Sequence, residues 1–202
     1  MKRTVTALIA AGALAVGLSA GPRDAVAEPR TFTLDPAHLH VGFLVEHIGF
    51  AKTLGVFTEV EGTVVFDEAA PALQSIDVTV QTESVHTGHD RRDGHLRSDD
   101  FLAADDHPEM TFTLTGAEQT GERTGVVTGD LTMRGETHPV SLDVVWNKSG
   151  RYPFGDEQYV VGVSARGELQ RSQWGMTYAV DNGLVGDTVE IIIEAELIRQ
   201  DD

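Results

Sequence analysis

From Thr31 onward the chain repeats its apolar side chains at every second position, the period of strands with one buried face. Leu39, Val41, Phe43 and Val45 alternate with His38, His40, Gly42 and Glu46. Ile76, Val78 and Val80 alternate with Asp77, Thr79 and Gln81, and Phe112 and Leu114 sit among threonines. Leu142, Val144 and Trp146 form a further row, then Val161, Val163, Ala165 and Leu169, then Val189, Ile191, Ile193, Ala195 and Leu197. Between Gly55 and Asp67 the phase slips, with Phe57 on one parity and Val60, Val64 and Phe66 on the other; a bulge near Thr58–Glu61 reconciles them. Gly-containing turns such as Thr120-Gly121-Glu122 and Arg134-Gly135-Glu136 separate the runs. Seven or eight strands at this spacing predict a closed antiparallel barrel or a sandwich.

One stretch breaks the alternation. Thr87 to Asp106 is dense in charge and holds Leu96, Phe101 and Leu102 at roughly helical spacing. Thr87-Gly88-His89-Asp90 is compatible with a capping box and Ser98 with a second cap, which predicts helix, break, helix over one opening of the barrel. The i,i+4 spacing pairs Asp93 with Arg97 and His95 with Asp99.

The N-terminus carries an address. Lys2 and Arg3 precede an apolar run from Val5 to Leu18, then Gly21-Pro22 and the small triplet Ala25-Val26-Ala27. That is the layout of a cleaved secretory signal over residues 1–27, and the run is short of the roughly 20 residues that span a bilayer. The expected mature protein is residues 28–202, one domain without internal repeat, exported to a bacterial periplasm or the culture fluid and not membrane-embedded. The chain has no cysteine, which excludes disulfides, thiolate metal sites and cysteine nucleophiles. Its formal charge of −17 becomes −19 once the leader, with Lys2, Arg3, Arg23 and Asp24, is removed. Such acidity argues against nucleic-acid binding and against lying on an anionic membrane surface.

Enzyme signatures are missing: no Walker loop, no G-x-G-x-x-G, no G-x-S-x-G elbow and no H-E-x-x-H. Eight histidines invite a metal reading through His38 with His40, or His86 with His89. Both pairs fall on polar faces where solvated imidazoles are the plainer account, so no metal and no cofactor is expected. His47 continues the inward parity of Val41, Phe43 and Val45; it is either a core histidine satisfied by the fold or a group beside a ligand. Arg91 to Arg97 is the one concentration of positive charge, read either as a self-paired surface helix or as the dock for an anionic head.

These residues carry a resemblance. His40-Val41-Gly42-Phe43-Leu44-Val45-Glu46-His47-Ile48-Gly49-Phe50, then Gly55-Val56-Phe57 and Gly62, resembles the opening of the YceI-like family. Arg92-Asp93-Gly94-His95-Leu96-Arg97-Ser98-Asp99-Asp100-Phe101, followed by Pro108 and Phe112, is similar to its central signature. Gly129 to Val140 is similar to its G-x-L-T-x-x-G-x-T-x-P-V segment, and Gly175-Met176 and Gly186-Asp187-Thr188-Val189 follow in place. The match runs over about residues 31–198. Leu102 stands where a second Phe is usual, and Gln173-Trp174 replaces Asp-Phe; both changes reshape a pocket wall.

The resemblance implies an all-β fold, an antiparallel eight-stranded lipocalin-like barrel with a short helical insertion, which binds a polyisoprenoid or similar long-chain amphiphile and is not an enzyme. On that reading the parity rows supply a wall of Phe43, Val45, Phe112, Leu114, Val144, Trp146, Val163 and Ile191. Phe57 and Phe101 flank the mouth, Trp174 closes one end, and a polar head meets His47 or Arg92, His95 and Arg97. The same alternation fits a solid barrel, which leaves open a stress-related structural protein. A His-based metalloprotein or enzyme using His47, His95 and Asp99 is the remaining alternative. Pairing of edges in a homodimer also stays open.

Overall fold

The computed structural model describes residues 28–69 and 71–200, so the expected leader, residues 1–27, lies outside the described residues. Ten strands form in chain order: β1 (Arg30–His47), β2 (Ala51–Phe57), β3 (Val60–Asp67), β4 (Ala72–Gln81), β5 (Val85–His86), β6 (Glu109–Gln119), β7 (Thr124–Met133), β8 (Glu136–Arg151), β9 (Tyr159–Gln170) and β10 (Val185–Arg199). Among the described residues one α-helix, α1 (Asp90–Arg97), forms, and it lies between β5 and β6.

Eight of the strands close into an antiparallel barrel in the order β1-β3-β4-β6-β7-β8-β9-β10, with β10 paired back onto β1. The inward rows are those expected from parity, because cross-strand partners share a face: Phe43 pairs with Ile191, Val144 with Ala165 and Ile193 with Ala165. β1 is 18 residues long and serves two partners on one edge, β3 at its start and β2 at its end. The phase slip read from the sequence falls at Thr58-Glu59, between β2 and β3. There the Thr58 amide donates to the Ser84 carbonyl at 3.2 Å, and the Gln81 amide donates to the Glu59 carbonyl at 3.0 Å. β2 thereby leaves the barrel wall and pairs with β5.

Most connections are hairpins. Arg134 and Gly135, both at positive φ (53° and 78°), make a two-residue turn between β7 and β8, the geometry that suits the strand twist. The link from β4 to β6 is longer and becomes a lid. Thr82, fully buried, stitches its two ends: its amide donates to the Pro108 carbonyl and its hydroxyl to the His107 carbonyl, both at 2.8 Å.

Within the lid the expected helix, break, helix gives way to one helix. His89 is the N-cap, its Nδ1 accepting from the Arg92 amide, and Ser98 ends α1 instead of starting a second helix. Residues 98–107 form turns, held from outside by the Arg134 guanidinium, which donates to the carbonyls of Asp99 (2.9 Å) and Phe101. The expected i,i+4 pairs do not form. Buried Asp93 instead accepts from the Thr87 amide at 2.8 Å and its hydroxyl at 2.5 Å, and sits 3.1 Å from His86 Nδ1. His95 Nε2 turns to Asp100 at 2.9 Å. A buried carboxylate satisfied by neighbouring donors wins over an exposed helix pair worth a few tenths of a kcal/mol, about 0.2–0.5.

The apolar interior is divided. One packed cluster lies under the lid and includes Val85, Phe101, Leu102, Met133 and Trp174. A second, built on Phe32, Val64, Val161 and Leu197, fills the far end. No helix among the described residues is long and apolar enough to cross a membrane.

Candidate functional site

Between the two clusters runs a cavity of about 1150 Å³. Its waist is lined by Val41, Phe43, Phe112, Val144, Val163 and Ile193, and polar side chains gather at its ends. The volume sits just above the ~300–1,000 Å³ common for drug-sized ligands.

Two glycines let aromatic rings lie flat on the wall. A Cβ on Gly55 would stand 2.2 Å from the Phe43 ring, and one on Gly129 would stand 2.3 Å from that of Phe112. Phe43 meets Phe57 at 5.7 Å between ring centroids. At the far end Trp146 stands edge-on to Phe66 at 5.4 Å and donates from Nε1 to the Ser149 hydroxyl at 2.8 Å. That bond leaves the indole satisfied and its apolar face free to line the far end of the cavity.

The lid end carries a polar mouth. His95 lies between Phe101 and Tyr178, at 5.0 and 4.9 Å, both edge-on. His47, Ile48, Arg92 and Tyr178 complete the rim. Arg171 lies behind it, only 2% exposed, and donates to four carbonyls: Gly186 (2.8 Å), Met176 (2.6 Å), Tyr178 (2.8 Å) and Val185 (3.1 Å). This clamp fixes the loop between β9 and β10 against the barrel. Burial draws the Arg171 pKa below its ordinary value, with Asp187 acting in the opposite direction.

The wall residues read from parity (Phe43, Val45, Phe112, Leu114, Val144, Trp146, Val163 and Ile191) all border the cavity, as do Phe57 and Phe101. His47 borders it too, but as an exposed group at the rim; the core-histidine reading fails because β1 ends there, beyond the packed interior. Arg92 and His95 reach the cavity, whereas Arg97 does not. Its guanidinium is turned to the carbonyls of Glu83 (2.7 Å) and Val85 (3.0 Å), fastening the lid. Trp174 is not a cap on the cavity: it is 1% exposed inside the lid cluster, donates to the Leu131 carbonyl and stands edge-on to His138. Sequence reasoning missed Arg171 and Tyr178, which lie beside a loop with no alternation to read.

Each histidine pair weighed as ligands is split: His38 meets Asp35 and Glu196 without His40, and His86 meets Asp93 without His89. The grouping that does occur among the described residues is Asp35, His38 and Glu196, on the outer face where β1 bulges between Leu34 and Leu39. His38 Nδ1 is 2.7 Å from Asp35, which raises the His38 pKa; burial pushes the Asp35 carboxyl up, but the His38 contact and the Ala37 amide together hold it below its ordinary value. His95 faces Asp100 rather than Asp99, so the trio of His47, His95 and Asp99 is not assembled as an acid–base unit.

A family profile described as YceI-like domain matches residues 32–197, most of the chain. The chain belongs to the YceI-like family. A UPF0312 protein of Pectobacterium atrosepticum is 36% identical over 200 residues, 99% of each chain. Among solved structures, the Campylobacter jejuni YCEI protein superposes with a TM-score of 0.70 at 29% identity, covering 77% of this chain and 90% of that one. A polyisoprenoid binding domain from Saccharophagus degradans shares the fold with a TM-score of 0.60 at 16% identity, covering 84% and 98%. The YceI-like barrel is thus the frame on which this cavity is built.

Proposed function

We propose that this YceI-like chain is an exported carrier that holds a polyisoprenoid or similar long-chain amphiphile inside its barrel, and that it acts by binding rather than by catalysis. The observation that carries this reading is the continuous apolar cavity of about 1150 Å³ with polar groups only at its ends. A solid structural barrel has no use for such a void, whose lining forgoes packing contacts on one side. Burial of alkyl chain contributes about 0.8 kcal/mol per methylene, so a five-carbon isoprene unit contributes roughly 3–4 kcal/mol. Against an association cost of about 4–15 kcal/mol, a few buried units suffice.

The polar head is assigned to the lid mouth, where Arg92, His95 and His47 gather in a chain that is otherwise strongly acidic. The basic and apolar layout of residues 1–27, with its Ala25-Val26-Ala27 triplet, supports export to the periplasm, and the family's polyisoprenoid binding neighbour supports the ligand class. The test is mass spectrometry of an organic extract from purified residues 28–202, with elemental analysis of the same sample. A stoichiometric long-chain isoprenoid or fatty amphiphile is expected. A protein that yields none and takes up no fluorescent alkyl probe refutes the carrier reading, and stoichiometric metal in its place supports the histidine-based alternative.

A further inference from the structure

The barrel wall is not sealed at the end opposite the lid. β4 and β6 pair only from Asp77 with Thr113 to Gln81 with Glu109. Beyond that point Ala72–Ile76 is laddered to β3 alone and Leu114–Gln119 to β7 alone. Two bare edges therefore face each other along about 16 Å, taking five residues at roughly 3.3 Å each. Both strands change register at the parting: β4 beside Gln74 against β3, and β6 at Thr115 against β7. A bulge bends its strand, and here two bulges splay adjacent staves.

The cavity passes through this slot. All six residues from Leu114 to Gln119 line the cavity, as do Pro71 to Gln74 on the facing side of the slot and Glu122 to Val127 at the adjoining hairpin. Ala117 is paired with Val127, so it shares the inner face, and it is nevertheless exposed while Val127 is 7% exposed. The same cavity reaches the surface again at the lid, where Ile48 and Tyr178 are 44% and 45% exposed. Its two ends differ in the balance of charge: Arg92, His95 and His47 stand at the lid with Glu46, while Glu118 and Glu122 flank the slot beside Arg123.

We infer that the barrel is a tunnel open at both ends, in which the ligand's head stays at the lid and its chain passes out through the slot between β4 and β6. The inference rests on the carrier reading and adds the rule of selection. The site requires an apolar chain long enough to span the waist and sets no upper limit on chain length. Small side chains at the slot, Ala72, Gly116 and Ala117, leave room for a linear run of prenyl units with their methyl branches, and the flanking carboxylates disfavour an anionic head leaving there.

The experiment is competition of prenols against a bound fluorescent alkyl probe, lengthening the prenol by one isoprene unit at a time. Affinity is expected to rise with length and then stay level. An affinity that falls once the chain exceeds the waist overturns the tunnel, because a blind cavity rejects what it cannot contain. Ala117→Trp places a ring on the inner face of the slot. It is expected to leave short prenols unaffected and to weaken chains longer than the waist by at least about tenfold. Gln119→Trp serves as a second obstruction, since Gln119 lines the cavity and is paired with Gly125, which is laddered to Val144 of the inner wall. Circular dichroism melts verify that each variant folds. Folded obstructed variants that bind long and short prenols as the parent does also overturn the inference. Failure of every prenol to displace the probe refutes the carrier reading itself, a result distinct from a length cut-off.

Discussion

Val41 offers the sharpest test of where a bound chain runs. It lines the cavity but belongs to neither packed cluster, so bulk added there enters the void. Its ladder neighbours are Ile193 on β10 and Phe57 on β2, which puts it at the waist. In Val41→Trp an indole would take the space of about one isoprene unit. Excluding that unit removes roughly 3–4 kcal/mol of chain burial, a loss of about 100-fold or more in affinity. The unliganded protein should not suffer, because the ring buries about 100 Å² of additional apolar surface, worth at most ~2.5 kcal/mol. The assay is displacement of a fluorescent alkyl probe, paired with a thermal melt, and Val41→Ala serves as the opposite change with little expected loss of binding. A folded Val41→Trp that binds as well as the parent refutes the placement of the chain at the waist. A melting temperature lower by many degrees refutes the void, since it means that the indole overpacks a filled interior.

Three further outcomes follow from the lid and the wall. Arg171→Leu strips four carbonyls of their donor and should cost about 3–5 kcal/mol. Hydrogen exchange should quicken first at residues 175–186, and an unchanged melt with unchanged exchange would disprove the clamp. Burial opposes ionisation of Asp93, but the Thr87 hydroxyl, the Thr87 amide and His86 outweigh it and hold its pKa below the ordinary carboxylate value. Because the folded value is depressed, this contribution is complete above the unfolded pKa of about 3.9 and is lost as pH falls through the lower folded value. The Thr87 amide, followed by NMR, should therefore stay protected at pH 5 and open only well below 4; opening at pH 5–6 contradicts this account. Gly55→Val forces the Phe43 ring off the wall and into the neighbouring void, so stability should fall only by about 1 kcal/mol while probe affinity drops measurably. Equal binding by the folded variant would mean that the ring does not border the ligand.

The strands were legible because burial on one face imposes a period of two, and even the break at Thr58-Glu59 shows in the parity of Phe57 against Val60. The lid was not. Its turns at 98–107 are fastened by Arg134 from a distant hairpin, and its carboxylate Asp93 is satisfied by Thr87, so local spacing pointed to pairs that tertiary contacts override. Arg97 and Trp174 were drawn toward the site by charge and size, whereas the fold spends both on fastening the lid. The wall of the cavity followed from parity. The slot did not, because β4 and β6 alternate in the same way whether or not their edges meet.

The seam that closes the barrel joins its first strand to its last. Phe32 is laddered to Arg199, and the Gln200 amide donates to the Thr31 carbonyl at 2.8 Å. No wall can therefore be completed until nearly the whole polypeptide is available, and the closing contacts span most of its length. Loop-closure entropy must be met before those contacts return anything, which places this topology among the slow, non-local folders. A nascent or truncated chain lacking β10 would retain two bare edges, one on β1 and one on β9, each a template for association with another chain. The architecture that leaves the finished protein with a continuous seam thus makes its synthesis all-or-nothing, with assembly waiting on the final fifteen-residue strand.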